Sequence, residues 1–141
     1  MCKGKRMPFV SVTRAHLSSP LFVDAFLADV VASNAQALAA RGNLGTELLG
    51  EDTHAYWTKS IWVDQTTMRE FMSSGRHAEA MPRLRKWCDE AAVVHWEQDS
   101  EELPSWTEAH RRLVSEGRPS AVEQPSPVNQ SVEIPSPVLP A

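Results

Sequence analysis

A chain of 141 residues, 42% of them hydrophobic, points to one domain with its own core. The formal net charge of −4 works against a broad phosphate-binding surface, which needs clustered Lys and Arg, and so argues against nucleic acid as a partner. Lys3, Lys5 and Arg6 form only a short basic patch with no apolar run directly behind it, so neither a secretory leader nor a membrane span is expected.

Residues 1–8 read as a flexible N-terminus. Phe9 to Leu17 (FVSVTRAHL) is rich in β-branched residues and reads as a first strand. Ser19-Pro20 marks a helix start: the serine caps free amides, and proline at the first helical position loses no intrahelical bond. Phe22, Val23, Phe26, Leu27, Val30, Val31 and Leu38 then recur at helical spacing over a wide apolar stripe, which Gly42 ends. Asn43 to Gly50 is the expected second strand, and the Glu51-Asp52-Thr53 turn is short enough for an antiparallel hairpin into His54–Val63. In that third strand Tyr56, Thr58, Ser60 and Trp62 share one face, while Ala55, Trp57, Lys59, Ile61 and Val63 share the other. Each face carries tryptophan, so neither is simply solvated. One should pack on helices and the other on something else, such as a second subunit.

Asp64 can cap a helix whose apolar positions are Met68, Phe71 and Met72, and Ser73-Ser74-Gly75 breaks it. A further helical stretch runs from His77, with Pro82 predicting a kink or restart near Met81. Cys88, between Trp87 and Ala91-Ala92, reads as a buried thiol. The two cysteines of the chain are too few for a disulfide framework and lack metal-ligand spacing, and the expected location is a reducing cytoplasm. Ala91 to Gln98 (AAVVHWEQ) is the fourth strand.

The order strand, helix, strand, strand, helix, strand predicts an α+β, ferredoxin-like βαββαβ domain over residues 9–99. It has a four-stranded antiparallel sheet with helices on one face. The other face would be exposed in a monomer, which favours a homodimer. An acidic link and an extra C-terminal helix occupy residues 100–117, opened by the capping box Ser105-Trp106-Thr107-Glu108. That helix could pack back on the domain or reach a partner. From 118 to 141 the chain is Pro/Ser-rich, with EQPSPV and EIPSPV as near-repeats. Too little apolar burial is available there to offset ordering, so a disordered tail is expected.

The block YWTKSIWVDQTTMREFMSSGRHAEAMPRL, continued by VVHWEQ, resembles the dimeric α/β-barrel proteins related to antibiotic-biosynthesis monooxygenases. More specifically it looks like a small family similar to spheroidene monooxygenase, largely without an assigned function. The resemblance covers about Phe9 to Pro119. It implies a dimer of ferredoxin-like units closing a barrel, each with a pocket between sheet and helices. Relatives include cofactor-independent oxygenases of electron-rich aromatic substrates, haem-degrading and haem-containing oxygenases, and proteins with no known chemistry. In the haem-degrading branch a helix tryptophan is followed by the haem-ligating histidine. Those places fall at Phe71 and Met81 here, and His77 lies one turn before Met81. The haem-degrading pattern is therefore not reproduced, and the cofactor expectation stays between none and haem.

Within this frame His77 is the central polar candidate, able to act as acid or base or to bind iron. A histidine at a helix start can equally serve to bond free backbone groups. Trp62, Phe71 and Met81 are the expected pocket walls. Asn34, on the apolar stripe between Val30 and Leu38, would need a ligand or the sheet as partner. His95 and Glu97 share a strand face and could form an acid/base pair, or the polar seam of a dimer. No metal site is assigned. Arg14 reads as a surface ion-pair residue, and Arg83, Arg85 and Lys86 as a solvated helix face. The leading expectation is a homodimeric, monooxygenase-like protein that oxygenates or binds a hydrophobic small molecule. The alternatives are a non-enzymatic dimeric binding or scaffold module with a recruiting tail, and a haem-binding protein.

Overall fold

The computed structural model describes residues 7–51, 54–120, 122, 123, 125, 126 and 137. Strand β1 is Phe9–Leu17, followed by a 3-10 turn Pro20–Phe22, helix α1 (Val23–Ala39), β2 (Asn43–Gly50) and β3 (Ala55–Trp62). Then come α2 (Gln65–Met72), α3 (Gly75–Trp87), β4 (Cys88–Glu97), α4 (Trp106–Glu116) and a two-residue β5 (Arg118–Pro119). The sheet order is β2-β3-β1-β4-β5 with every pair antiparallel. This is the ferredoxin-like arrangement, with one short strand added at the β4 edge.

The local signals act as their chemistry predicts. Ser19 accepts a bond from the Leu21 amide with Pro20 at the helix start, and Asp64 accepts from the Thr67 amide. Gly42 turns α1 into β2 at φ 85°, where a Cβ would lie 2.6 Å from the Thr67 side chain. Only glycine meets both demands. His54 belongs to the hairpin turn, at φ 65°, so β3 starts one residue later than expected.

Four expectations change. Helix α3 is continuous from Gly75 through Pro82, with no restart near Met81. Pro82 is exposed, which places the lost hydrogen bond on the solvent side of the helix. Second, the apolar stripe of α1 is only partly inward: Phe26 is buried, but Leu27, Val31 and Leu38 are exposed while Asp29 is buried. By length and composition alone Pro20–Ala39 would suffice to cross a membrane, although no span is expected from the residues after Lys3, Lys5 and Arg6. In the fold it runs between two strands of one sheet. Third, the residues from Arg118, expected to be disordered, begin with β5, which pairs Arg118 with Val93 and Pro119 with Ala92. The Ser120, Glu123 and Ser126 amides then bond to the carbonyls of Ala91, Arg85 and Asp89. Most of the remaining tail lies outside the described residues.

The fourth change concerns the second sheet face. Helix α4 covers it, burying Ala109 and Leu113 against Val10, Val12, Trp57, Ile61, Val94 and Trp96. Lys59 anchors the approach to this helix. Its Nζ donates to the Pro104 carbonyl at 2.6 Å, pairs with Glu47 at 3.1 Å and sits 4.2 Å from the centre of the Trp106 ring. The face expected to need a second subunit is filled from within the same chain, so its exposure no longer argues for a dimer. Arg14 is likewise buried on this side, over Trp57 and 3.6 Å from Glu90, and is not a surface ion-pair residue.

Candidate functional site

The opposite face of the sheet and helices α1, α2 and α3 enclose a cavity of about 300 Å³. Strand register dictates its floor. Thr46, Ser60 and Ser11 align across β2, β3 and β1, and Thr58 pairs with Thr13 one row on. These five hydroxyl side chains line the cavity, joined by the Tyr56 phenol on the same face of β3. Phe26, Val30 and Ala37 of α1 form one wall, and Met68, Phe71 and Leu84 of α2 and α3 another. Thr13, Leu27, Val31 and Leu48 line the cavity and are also exposed, so it opens to solvent along α1, β2 and the middle of β1.

His77 enters from the α2–α3 corner. Gly75 makes that corner at φ 58°, and a Cβ there would come within 3.0 Å of the Gln36 amide. Gln36 fills the break between the helices. It donates to the Ser74 carbonyl at 2.8 Å and accepts from the His77 amide at 2.9 Å. The imidazole Nδ1 lies 3.1 Å from the Met72 carbonyl. A carbonyl can only accept, so Nδ1 carries the proton and Nε2 keeps its lone pair. Burial pushes the His77 pKa below its ordinary 6.5, against the smaller upward effect of the Met72 bond. The group is thus a neutral imidazole whose Nε2 is the basic nitrogen. Its ring is 4.7 Å from Phe71.

Of the residues expected at the site, Asn34, Phe71 and His77 line the cavity together. The Asn34 Oδ1 is buried with no hydrogen-bond partner. Trp62 and Met81 are not among the lining residues. Trp62 is fully buried behind Phe71, stacked on it at 5.1 Å and donating to Ser60. Met81 is half-buried on α3. His95 aligns with Ser11 on the cavity side of the sheet, against Phe9 at 5.4 Å, but also does not line the cavity. Its Nε2 is buried and unpaired. Burial lowers its pKa, and the charges of Arg118 and Arg69 push the same way. Glu97 is exposed, so the two do not make a buried acid/base pair.

Sequence reasoning missed Asp29, Gln36 and the hydroxyl floor. Asp29 lines the cavity, yet its carboxylate is held by Arg83 at 2.8 and 2.9 Å and by Arg76 at 3.4 Å. The Arg83 hydrogen bond is the main reason its pKa is lowered. Arg83 is therefore not simply solvated: it ties α3 to α1 through Asp29. The available signal was a lone acid three residues after Phe26 on an apolar stripe. Gln36 carried no comparable mark.

Among the described residues, one group of side chains converges closely enough to hold a metal ion: His16, Asp89 and Glu90. A register shift at His16/Leu17 brings adjacent Asp89 and Glu90 onto the same imidazole, at 2.6 and 3.2 Å from Nδ1. These residues are not part of the cavity wall, and Arg14 also meets Glu90. Haem does not fit the cavity. The volume lies at the lower end for ligand pockets, and no Lys or Arg lines the wall to meet the porphyrin carboxylates.

A ferredoxin-like sheet with a helix-roofed cavity defines the class, an antibiotic-biosynthesis-monooxygenase-like fold. Solved structures agree. A protein from Pseudomonas aeruginosa is similar with a TM-score of 0.61 at 13% identity, covering 70% of this chain and 100% of that one. A variant of SnoaB, a cofactor-independent oxygenase from Streptomyces nogalater, gives 0.53 at 15%, covering 67% and 94%. An antibiotic biosynthesis monooxygenase gives 0.58 at 11%, covering 64% and 97%. At these identities the likeness shows the fold alone. The chain belongs to the family described as a domain of unknown function, DUF3291, which its residues 15–118 match. No curated protein matches it.

Proposed function

We propose that the protein binds a hydrophobic small molecule in the cavity between sheet and helices, and that His77 accepts a proton from it as the first step of an oxygenation. The observation that carries this reading is the buried, neutral His77 imidazole on the cavity wall, with the Nδ1 proton on the Met72 carbonyl so that Nε2 is the basic nitrogen. A base of this kind needs no cofactor when the substrate is an electron-rich aromatic whose carbanion reacts with dioxygen. Such a methylene loses two hydrogens and gains one oxygen as a carbonyl, and the second oxygen leaves with those hydrogens as water. The chain's part is to hold the ring system against Phe71 and take the proton at Nε2. The oxygenase fold of SnoaB adds support at the level of architecture.

The test is titration with neutral phenols and anthrones, read by tryptophan fluorescence, together with dioxygen uptake. Wild type should bind and consume dioxygen. His77→Ala should bind within several-fold of wild type and lose uptake. Binding without any uptake would reduce the proposal to a ligand-binding protein, and no binding at all would end it.

A further inference from the structure

Helix α1 keeps an apolar side uncovered among the described residues. Between Asp24 and Arg41 every exposed residue is alanine, leucine or valine, with Val31 63% and Leu38 58% exposed. A contiguous apolar surface of this kind marks an association site. Ala28, Val31, Ala35 and Leu38 follow one another at steps of three, four and three residues, the spacing of a coiled-coil seam. The ridge is self-complementary. When two copies of α1 lie antiparallel across a two-fold axis near Ser33, Ala28 meets the partner's Leu38 and Val31 meets the partner's Ala35, small against large in each layer. The same register brings Asp24, near the start of α1, to the partner's Arg41 just beyond its end. The Arg41 side chain is 70% exposed and bonds Glu70 through one nitrogen, so it has donors left for a second carboxylate. A parallel pair would instead set Asp24 against its own copy, like charge against like.

We infer that two copies of this chain associate through antiparallel α1 helices, on the helix side of the sheet and not through the sheet face that α4 fills. This holds whether or not the cavity takes a ligand. The partner's helix narrows the opening along α1, because Val31 belongs both to the seam and to the cavity wall. A membrane surface fits this face less well. Helices that lie in a bilayer interface carry aromatic and basic residues, and the exposed side of α1 has none between Asp24 and Arg41.

Sedimentation velocity of the full chain at about 100 µM tests the pairing, since two helix faces of this length bury on the order of 1,000 Å² in total and associate in the micromolar range. Wild type should run as a dimer. Leu38→Lys, at an exposed position outside the core, should keep the far-UV circular dichroism and weaken association at least about tenfold, because the change acts twice across the axis. Direction is read by cross-linking in a Cys2→Ser background. Ala28→Cys combined with Leu38→Cys should oxidise to a covalent dimer, and neither substitution alone should. Within one chain the two positions stand about 15 Å apart along the helix, too far for a disulfide. A monomeric wild type overturns the inference, and flotation of that monomer with phosphatidylcholine vesicles would assign the face to lipid. A dimer that Leu38→Lys leaves intact uses another surface and also overturns it. So does a dimer in which the double variant fails to cross-link, or one in which Ala28→Cys alone cross-links, as parallel helices would.

Discussion

Replacing Gln36 with alanine removes the side chain that bridges α1 to the break between α2 and α3. Two good hydrogen bonds are lost, to the Ser74 carbonyl at 2.8 Å and from the His77 amide at 2.9 Å, with a weaker one to Phe71 at 3.4 Å. Each bond of this type contributes about 0.5–1.5 kcal/mol net. The corner is partly exposed, so water replaces some of what is lost. The expected destabilisation is about 1.5–2 kcal/mol, or a Tm lower by roughly 5 °C for a chain of this length. Gln36→Glu should fall between alanine and wild type, since a carboxylate can accept from the His77 amide but cannot donate to Ser74. The second consequence concerns the histidine. Once the corner relaxes, His77 Nδ1 is no longer held on the Met72 carbonyl, and nitrogen-15 NMR of the imidazole should show a mixture of tautomers in place of the Nδ1–H form. A variant within about 0.5 kcal/mol of wild type, with the tautomer unchanged, would refute the assignment of Gln36 as the residue that sets this corner.

Stability should also report the buried histidines. The folded pKa values of His77 and His95 lie below 6.5, mainly through burial. Below pH 6.5 the unfolded chain therefore binds more protons, so stability is full above that value and falls as the pH drops through the lowered folded values. Urea midpoints across pH 5–8 should show this slope, reduced in His77→Gln and His95→Gln. Cys88, whose thiol is pushed up to about 12 by burial and by Asp89, should resist iodoacetamide at pH 8 in the native protein and react on unfolding in urea. Leu113→Ala, at a fully buried position of α4, should cost about 2–5 kcal/mol in chemical denaturation. Truncation before Ser105 strips α4 from Val10, Ile61 and Trp96 and should make the protein self-associate in sedimentation velocity. A truncated chain that sediments as the full chain does would show that the sheet face tolerates water.

Much of the architecture is legible in local chemistry. β-branched and aromatic runs mark β1 and β3, and the Ser19-Pro20 start, Gly42, Asp64 and the Ser73-Ser74-Gly75 break bound the helices. These signals depend on backbone preferences and caps within a few residues, so the sequence shows them directly. The candidate site was legible only in part. His77 stands out as a histidine after a helix break, and Asn34 as an amide on an apolar stripe. Met81 and Trp62 shared the helical or strand face that pointed inward, but nothing local distinguishes the layer that touches the cavity from the layer behind it.

The sequence by itself determined the element order, the two faces of β3 and the hinge that presents His77. Tertiary structure alone decided which side of α1 is buried, because Asp29 can be buried only when Arg83, 54 residues away, meets its carboxylate. It also decided the fate of the second sheet face, since an apolar surface specifies that something must cover it but not which segment does. Here α4 reaches that face at the end of a short link held by Lys59. The cavity itself is a property of packing: six hydroxyls spread over three strands become one floor only when the strand register aligns them.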